Sequence, residues 1–282
     1  MRIPYRKRQG LVSALAGAVV AALALAAALW ALWGGDAVRT AAPASDGSLK
    51  KALDAGRFVL GLDAGFPPMS FTNEKGEFVG FDIDMMREVC RRLGIELVAR
   101  PINWDTKEAE LNGGAIDGIG SMSVTPGSAR EMNLSESYIK EDLIFVVHGN
   151  SGVKWLRDLR GKRIGVQSGS TTQEALEKLD IYEEVSAVLF DDNLAILQAL
   201  KRGGVDAGLV DSPVAYYFID SDSDRYFILG ESLGEEEFAI GFRKNDRELR
   251  DKAQEIIRAM KADGTLGRIA RKWFGSDITI VN

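Results

Sequence analysis

Several short stretches of this 282-residue chain carry groups suited to gripping a small polar molecule. In Gln167-Ser168-Gly169-Ser170-Thr171 an apolar strand turns at a glycine into a helix. Ser170-x-x-Gln173 and Thr171-x-x-Glu174 both fit the capping-box pattern for that helix start. Such a turn aims backbone N–H groups at an anion, a carboxylate for example, although a plain strand-to-helix turn reads the same way. Asp211 directly follows an apolar strand, where open α/β sheets present ligand-facing residues. Ser121-Met122-Ser123 reads as a polar loop of ligand size after another strand. Phe66, held between a strand end and Pro67-Pro68, is a rigid ring suited to stacking. Asp63 ends the first strand, a position that also suits an ordinary turn.

Catalytic chemistry is poorly served. Cys90 and His148 are each single, and there is no nucleophile–base pair and no metal-ligand cluster. No GxxxxGK[ST] motif accompanies the glycine turn, so it does not read as a nucleotide site. The expectation is a binder, not an enzyme, with no cofactor. An enzyme would need Asp63, Asp211 or a nearby Glu with a raised pKa.

The elements that must position these groups alternate between strand and helix. Strands read at 58–62, 77–81 and 96–100, with a helix over 82–93 whose Ile83, Met86, Val89, Cys90 and Leu93 share one face. From about residue 156 a second block repeats the alternation, with strands at 163–166 and 185–190 and helices at 172–179 and 193–201. Leu111-x-x-Gly114-x-x-Asp117 in the first block recurs as Leu200-x-x-Gly203-x-x-Asp206 in the second. Both mark a helix that stops at Gly before a strand. Alternation of this kind predicts an α/β fold with mostly parallel sheets. The extended segments 143–147 and 238–242 bracket the second block and read as paired hinge strands. The predicted organisation is lobe 1 over 49–147, lobe 2 over 148–236, and a return to lobe 1 with C-terminal helices over 237–282.

Residues 1–35 differ from the rest. Arg2, Arg6, Lys7 and Arg8 precede an uncharged, Ala- and Leu-rich run over 10–35, long enough to span a bilayer. The basic head stays cytoplasmic, so the body is exported. An uncleaved anchor and a signal cut near Ala42-Pro43-Ala44 both fit. Residues 36–48 read as a linker. The chain carries a net charge of −6; residues 1–44 hold five basic residues against Asp36, so the remainder stands at −10. That acidity argues against nucleic acid as a partner.

These motifs, taken together, resemble the bacterial family of polar amino-acid solute-binding proteins of ABC importers, whose fold is the type 2 periplasmic binding protein. The resemblance runs over about 57–275. It rests on Gly61-Leu62-Asp63-Ala64-Gly65-Phe66-Pro67-Pro68, the GEFVGFDID of 76–84, the segment 104–117 ending LNGGAID, Ser135-Glu136-Ser137-Tyr138, the LRGKRIGVQSG of 159–169, Val210-Asp211-Ser212-Pro213, and the ADGTLGRIARKWF of 262–274.

The resemblance implies a ligand cleft lined by Asp63, Phe66, Trp104, Ser121, Met122, Ser123, Gln167, Ser170, Thr171 and Asp211. In it, Phe66 and Trp104 are aromatic walls and Asp211 meets an α-ammonium. It also implies a permease partner, a monomer, and membrane contact through the N-terminal segment if that is uncleaved. The family usually carries an Arg three residues after the Thr of its Thr-Pro motif, forking onto the ligand's carboxylate. Here Thr125-Pro126 puts Ser128 in that place, and Arg130 is either a surface charge or reaches in by another path. Either hydroxyls and the helix start hold a carboxylate, or the ligand has none. Two alternatives stay open on the same fold: a dehydratase-like enzyme and a sensory receptor.

Overall fold

The computed structural model describes residues 45–220 and 225–281. The expected signal or anchor over 1–35, and the linker up to residue 44, lie outside them. No helix among the described residues is long and apolar enough to cross a membrane.

The first block runs α1 (Ser48–Ala55), β1 (Arg57–Leu62), β2 (Gly65–Phe66), β3 (Ser70–Thr72), β4 (Phe78–Val79), α2 (Phe81–Leu93), β5 (Glu96–Pro101), α3 (Lys107–Asn112), β6 (Gly118–Ser123), α4 (Pro126–Glu131) and β7 (Met132–Leu134). β8 (Ile139–His148) leads to the second: β9 (Arg163–Gln167), α5 (Thr171–Glu177), β10 (Ser186–Phe190), α6 (Asn193–Lys201), β11 (Ala207–Asp211), α7 (Ser212–Asp220) and β12 (Tyr226–Ile228). β13 (Glu235–Arg243), α8 (Arg247–Ala262) and α9 (Thr265–Phe274) complete the chain.

The two blocks share one plan. In the first, β5, β1 and β6 are parallel, and β13 closes the row antiparallel to β6. In the second, β10, β9 and β11 are parallel, and β8 closes the row antiparallel to β11. The inner strands β6 and β11 are buried along their whole length, as strands covered on both faces must be, while the edge strands β5 and β10 stay partly exposed. Along β8, Ile144 and Val146 face one apolar cluster while Leu143, Phe145 and Val147 face another.

The repeated Leu-Gly-Asp pattern has a structural cause. Leu111 and Leu200 are fully buried. Asp117 accepts from the Val59 N–H and Asp206 from the Arg163 N–H, so each Asp ties its own strand to the parallel neighbour.

Two expectations need correction. Segments 143–147 and 238–242 do not pair with each other; they pair with β11 and β6. β8 and β13 meet one step earlier, Ile139–Asp142 against Glu235–Phe238, because each strand enters its own sheet once it has crossed. The strand expected over 77–81 shrinks to Phe78–Val79, since Phe81 already opens α2. Gly80 makes that switch at φ 137°, where a Cβ would lie 2.2 Å from the Met69 carbonyl oxygen. α2 itself buries Ile83, Met86, Val89 and Cys90 as the spacing predicts.

Candidate functional site

The carboxyl ends of β1, β6, β9 and β11 converge, and each ends in or is followed by a polar residue. Asp63 follows β1, Ser121 to Ser123 end β6, Gln167 ends β9 and Asp211 ends β11. With Phe66 of β2 and Trp104 these groups enclose a cavity of about 220 Å³. Ser170 and Thr171 at the start of α5 complete its wall. All ten expected residues, and Ser128, therefore line one space. Arg130 does not: it is exposed on the last turn of α4. Ser121-Met122-Ser123 is the end of a strand, not a loop, with Ser121 at φ 47°.

The two blocks touch across this space. Asp63 Oδ2 accepts from Gln167 Nε2 at 2.8 Å. Ser168 Oγ donates to both oxygens of Asp105, and Lys107 Nζ donates to the Gly169 carbonyl at 3.0 Å. Gly169 sits at φ 66°, where a Cβ would lie 2.5 Å from Asp105 Oδ1. Ser170 is the N-cap of α5, accepting from the Gln173 N–H, while the Gln173 side chain accepts from the Gly169 N–H, so the full capping box does not form.

Burial sets the electrostatics. Asp63 is pushed up to about 7, first by burial and then by the charge of Asp192, although the Gly65 N–H and Gln167 work the other way. Asp211 is raised first by burial and then by Glu236. Glu141 is raised first by burial and then by Asp211 and Glu236. Beneath Ser121, the fully buried Asp82 accepts from Ser121 Oγ and Tyr138 Oη, both at 2.8 Å; burial pushes it up to about 7.

Sequence reasoning missed Lys107, Asp82, Glu141, Glu236 and Phe238. Phe238 packs edge-on to Phe66 at 5.7 Å. A signal for Glu141 existed: residues 139, 141 and 143 alternate inward along β8, the period of a strand. Lys107 is buried, its ammonium over the Trp104 ring and bonded to the Trp104 carbonyl.

Comparison with known proteins accords with this geometry. The family model "Bacterial extracellular solute-binding proteins, family 3" matches residues 58–276. The L-cystine-binding protein TcyJ of Escherichia coli (strain K12) is 28% identical over 282 residues, covering 99% of this chain and all of that protein. Tv2483 bound to L-arginine is similar in structure, with TM-score 0.80 and 32% identity over 84% of this chain and 98% of that one. The ancestral amino-acid-binding protein AncCDT-1, described as a precursor of cyclohexadienyl dehydratase, has TM-score 0.74 and 27% identity, covering 80% of this chain and 99% of that one.

Proposed function

The chain belongs to the bacterial extracellular solute-binding proteins, family 3, and on that premise we propose that it captures a polar amino acid or a related cationic amine in the cavity between its two blocks and delivers it to the permease of an ABC importer. The observation that carries this reading is the convergence of Asp63, Gln167 and Asp211, from three strand ends of two blocks, on one small cavity. Strand ends are where open α/β sheets place ligands. β8 and β13 are the hinge about which lobe 1 (49–147 and 237–282) and lobe 2 (148–236) close, a recognised route for such a change. A closed, ligand-bound form is then what docks on the permease, with the protein acting as a monomer.

Relatives named for binding L-cystine and L-arginine support a ligand of amino-acid size. The N-terminal segment over 1–35 directs export, either as a cleaved signal or as an anchor. Sequencing the N-terminus of the exported protein separates the two.

Thermal unfolding against a panel of amino acids, amines and small carboxylates tests the binding role, since a ligand of the native state raises its stability by mass action. An Asp211→Ala variant that binds the best ligand unchanged would show that the cavity is the wrong site. The raised pKa of Asp63 is also what an acid catalyst needs. Turnover of prephenate-like acids would replace the transport reading with the dehydratase-like one.

A further inference from the structure

We infer that the cavity selects an organic cation without a carboxylate, an amine or guanidine of the kind left when an amino acid loses its carboxyl group. The inference rests on the cavity being the ligand site and goes further by assigning the charge of the ligand.

The balance of groups on the wall carries it. Among the described residues, five carboxyl groups line the cavity, those of Asp63, Glu108, Glu131, Glu174 and Asp211, against the single ammonium of Lys107. That ammonium is already committed. It donates to the carbonyls of Trp104 and Gly169 at 3.1 and 3.0 Å and lies 3.4 Å from Glu108.

Most of the uncharged side-chain donors are committed as well. Ser121 donates to Asp82 at 2.8 Å, Ser170 to the Gln167 carbonyl at 2.7 Å, and Thr171 to Glu236 at 2.8 Å. Ser128 donates to the Ser123 carbonyl at 2.7 Å while accepting from the Thr125 N–H at 2.9 Å, so its hydroxyl caps α4. The Gln167 amide donates to Asp63 and to the Asp191 carbonyl. A wall with five carboxyl groups, most of whose side-chain donors already face protein acceptors, calls for a ligand that brings N–H donors.

A second observation points the same way. Glu141 is buried, and its Oε1 has no hydrogen-bond partner. It lies behind Asp211, opposite Glu236 on the neighbouring strand. Among the described residues no Lys or Arg forms an ion pair with Asp63, Asp211 or Glu141. Buried carboxylates left without a counter-charge are costly, and a bound cation removes that cost. Among the described residues no group of His, Cys, Asp or Glu is arranged to hold a metal ion, which leaves an organic cation.

Matched pairs test this directly. The purified protein is titrated calorimetrically with arginine and agmatine, lysine and cadaverine, and histidine and histamine. In the pair that binds best, the amine is expected to bind at least tenfold more tightly than its amino acid. Asp211→Asn should weaken the amine at least tenfold while leaving the circular dichroism spectrum unchanged. An amino acid that binds as tightly as its amine overturns the inference and leaves the solute-binding reading standing. Failure of all six compounds, with binding of a neutral amino acid such as cystine instead, does the same. Failure of every compound, cystine included, overturns both.

Discussion

Glu141 and Glu236 stand directly opposite each other in the four-residue pairing that joins β8 to β13. Like charges in that position repel, and Glu141 is held well above the usual carboxylate range by burial and by Asp211 and Glu236. A raised folded-state pKa means that the folded form binds the extra proton. Its stabilising effect is whole below the unfolded value and is lost as pH rises through the folded one. Glu141→Gln keeps the shape and removes the charge. It should stabilise the ligand-free protein by about 1 kcal/mol or more at pH 8 and change little at pH 4. Urea unfolding at the two pH values measures both.

Asp63 gives a narrower window. Its carboxyl is raised from 3.8 to about 7, so its contribution to stability is lost between those values as pH rises. At about 1.4 kcal/mol per unit, a shift of that size is worth up to about 4 kcal/mol. Asp63→Asn should flatten the fall in stability between pH 4 and 7. A bound cation reverses the trend, because it prefers the ionised carboxylate. Amine affinity measured by calorimetry should rise from pH 5 to pH 8, and the rise should shrink in Asp63→Asn.

Tyr138 and Ser121 both depend on Asp82, which is fully buried beneath the cavity floor. Tyr138 Oη also accepts from the Ser121 N–H at 2.9 Å, so it serves as donor and acceptor at once. Tyr138→Phe leaves that N–H and one Asp82 oxygen without partners, at a cost of about 1–3 kcal/mol. Asp82→Ala strands two hydroxyls and opens a void, and should cost more than Tyr138→Phe. Denaturant midpoints at constant slope decide the order. A Tyr138→Phe protein as stable as the parent would show that the network adds nothing.

Much of this arrangement was legible from residue spacing. The Leu-Gly-Asp pattern at 111–117 and 200–206 marked equivalent strand starts because the same bond, Asp to a neighbouring N–H, recurs in both blocks. Asp211 was expected at a cleft from its place after an apolar strand, and Asp63 and Gln167 chiefly from the family resemblance; the three do line one cavity. The register in which β8 pairs with β13 was not legible. Leu143-Ile144-Phe145-Val146-Val147 is uniformly apolar because both faces of β8 are covered there, and such a run says nothing of which strand lies beside it. Glu141 was missed because an acid in the strand KED reads as exposed, although its neighbours Lys140 and Asp142 are the outward pair. Lys107 was missed because its burial depends on Gly169, 62 positions away.

At Gly169 the two blocks meet closely enough to require a glycine. Its φ of 66° is left-handed, and a Cβ there would meet Asp105 Oδ1 at 2.5 Å. The same residue's carbonyl accepts from Lys107. Gly169→Ala therefore acts twice. It costs about 1–2 kcal/mol for the left-handed backbone, and it pushes Asp105 away from Ser168, loosening the contact that closes the cavity. The loss should appear chiefly in ligand affinity, by tenfold or more, because the clash exists only where the blocks meet. Calorimetric titration beside a urea melt separates the two effects. A stability loss with affinity unchanged would mean that the cavity closes without this contact.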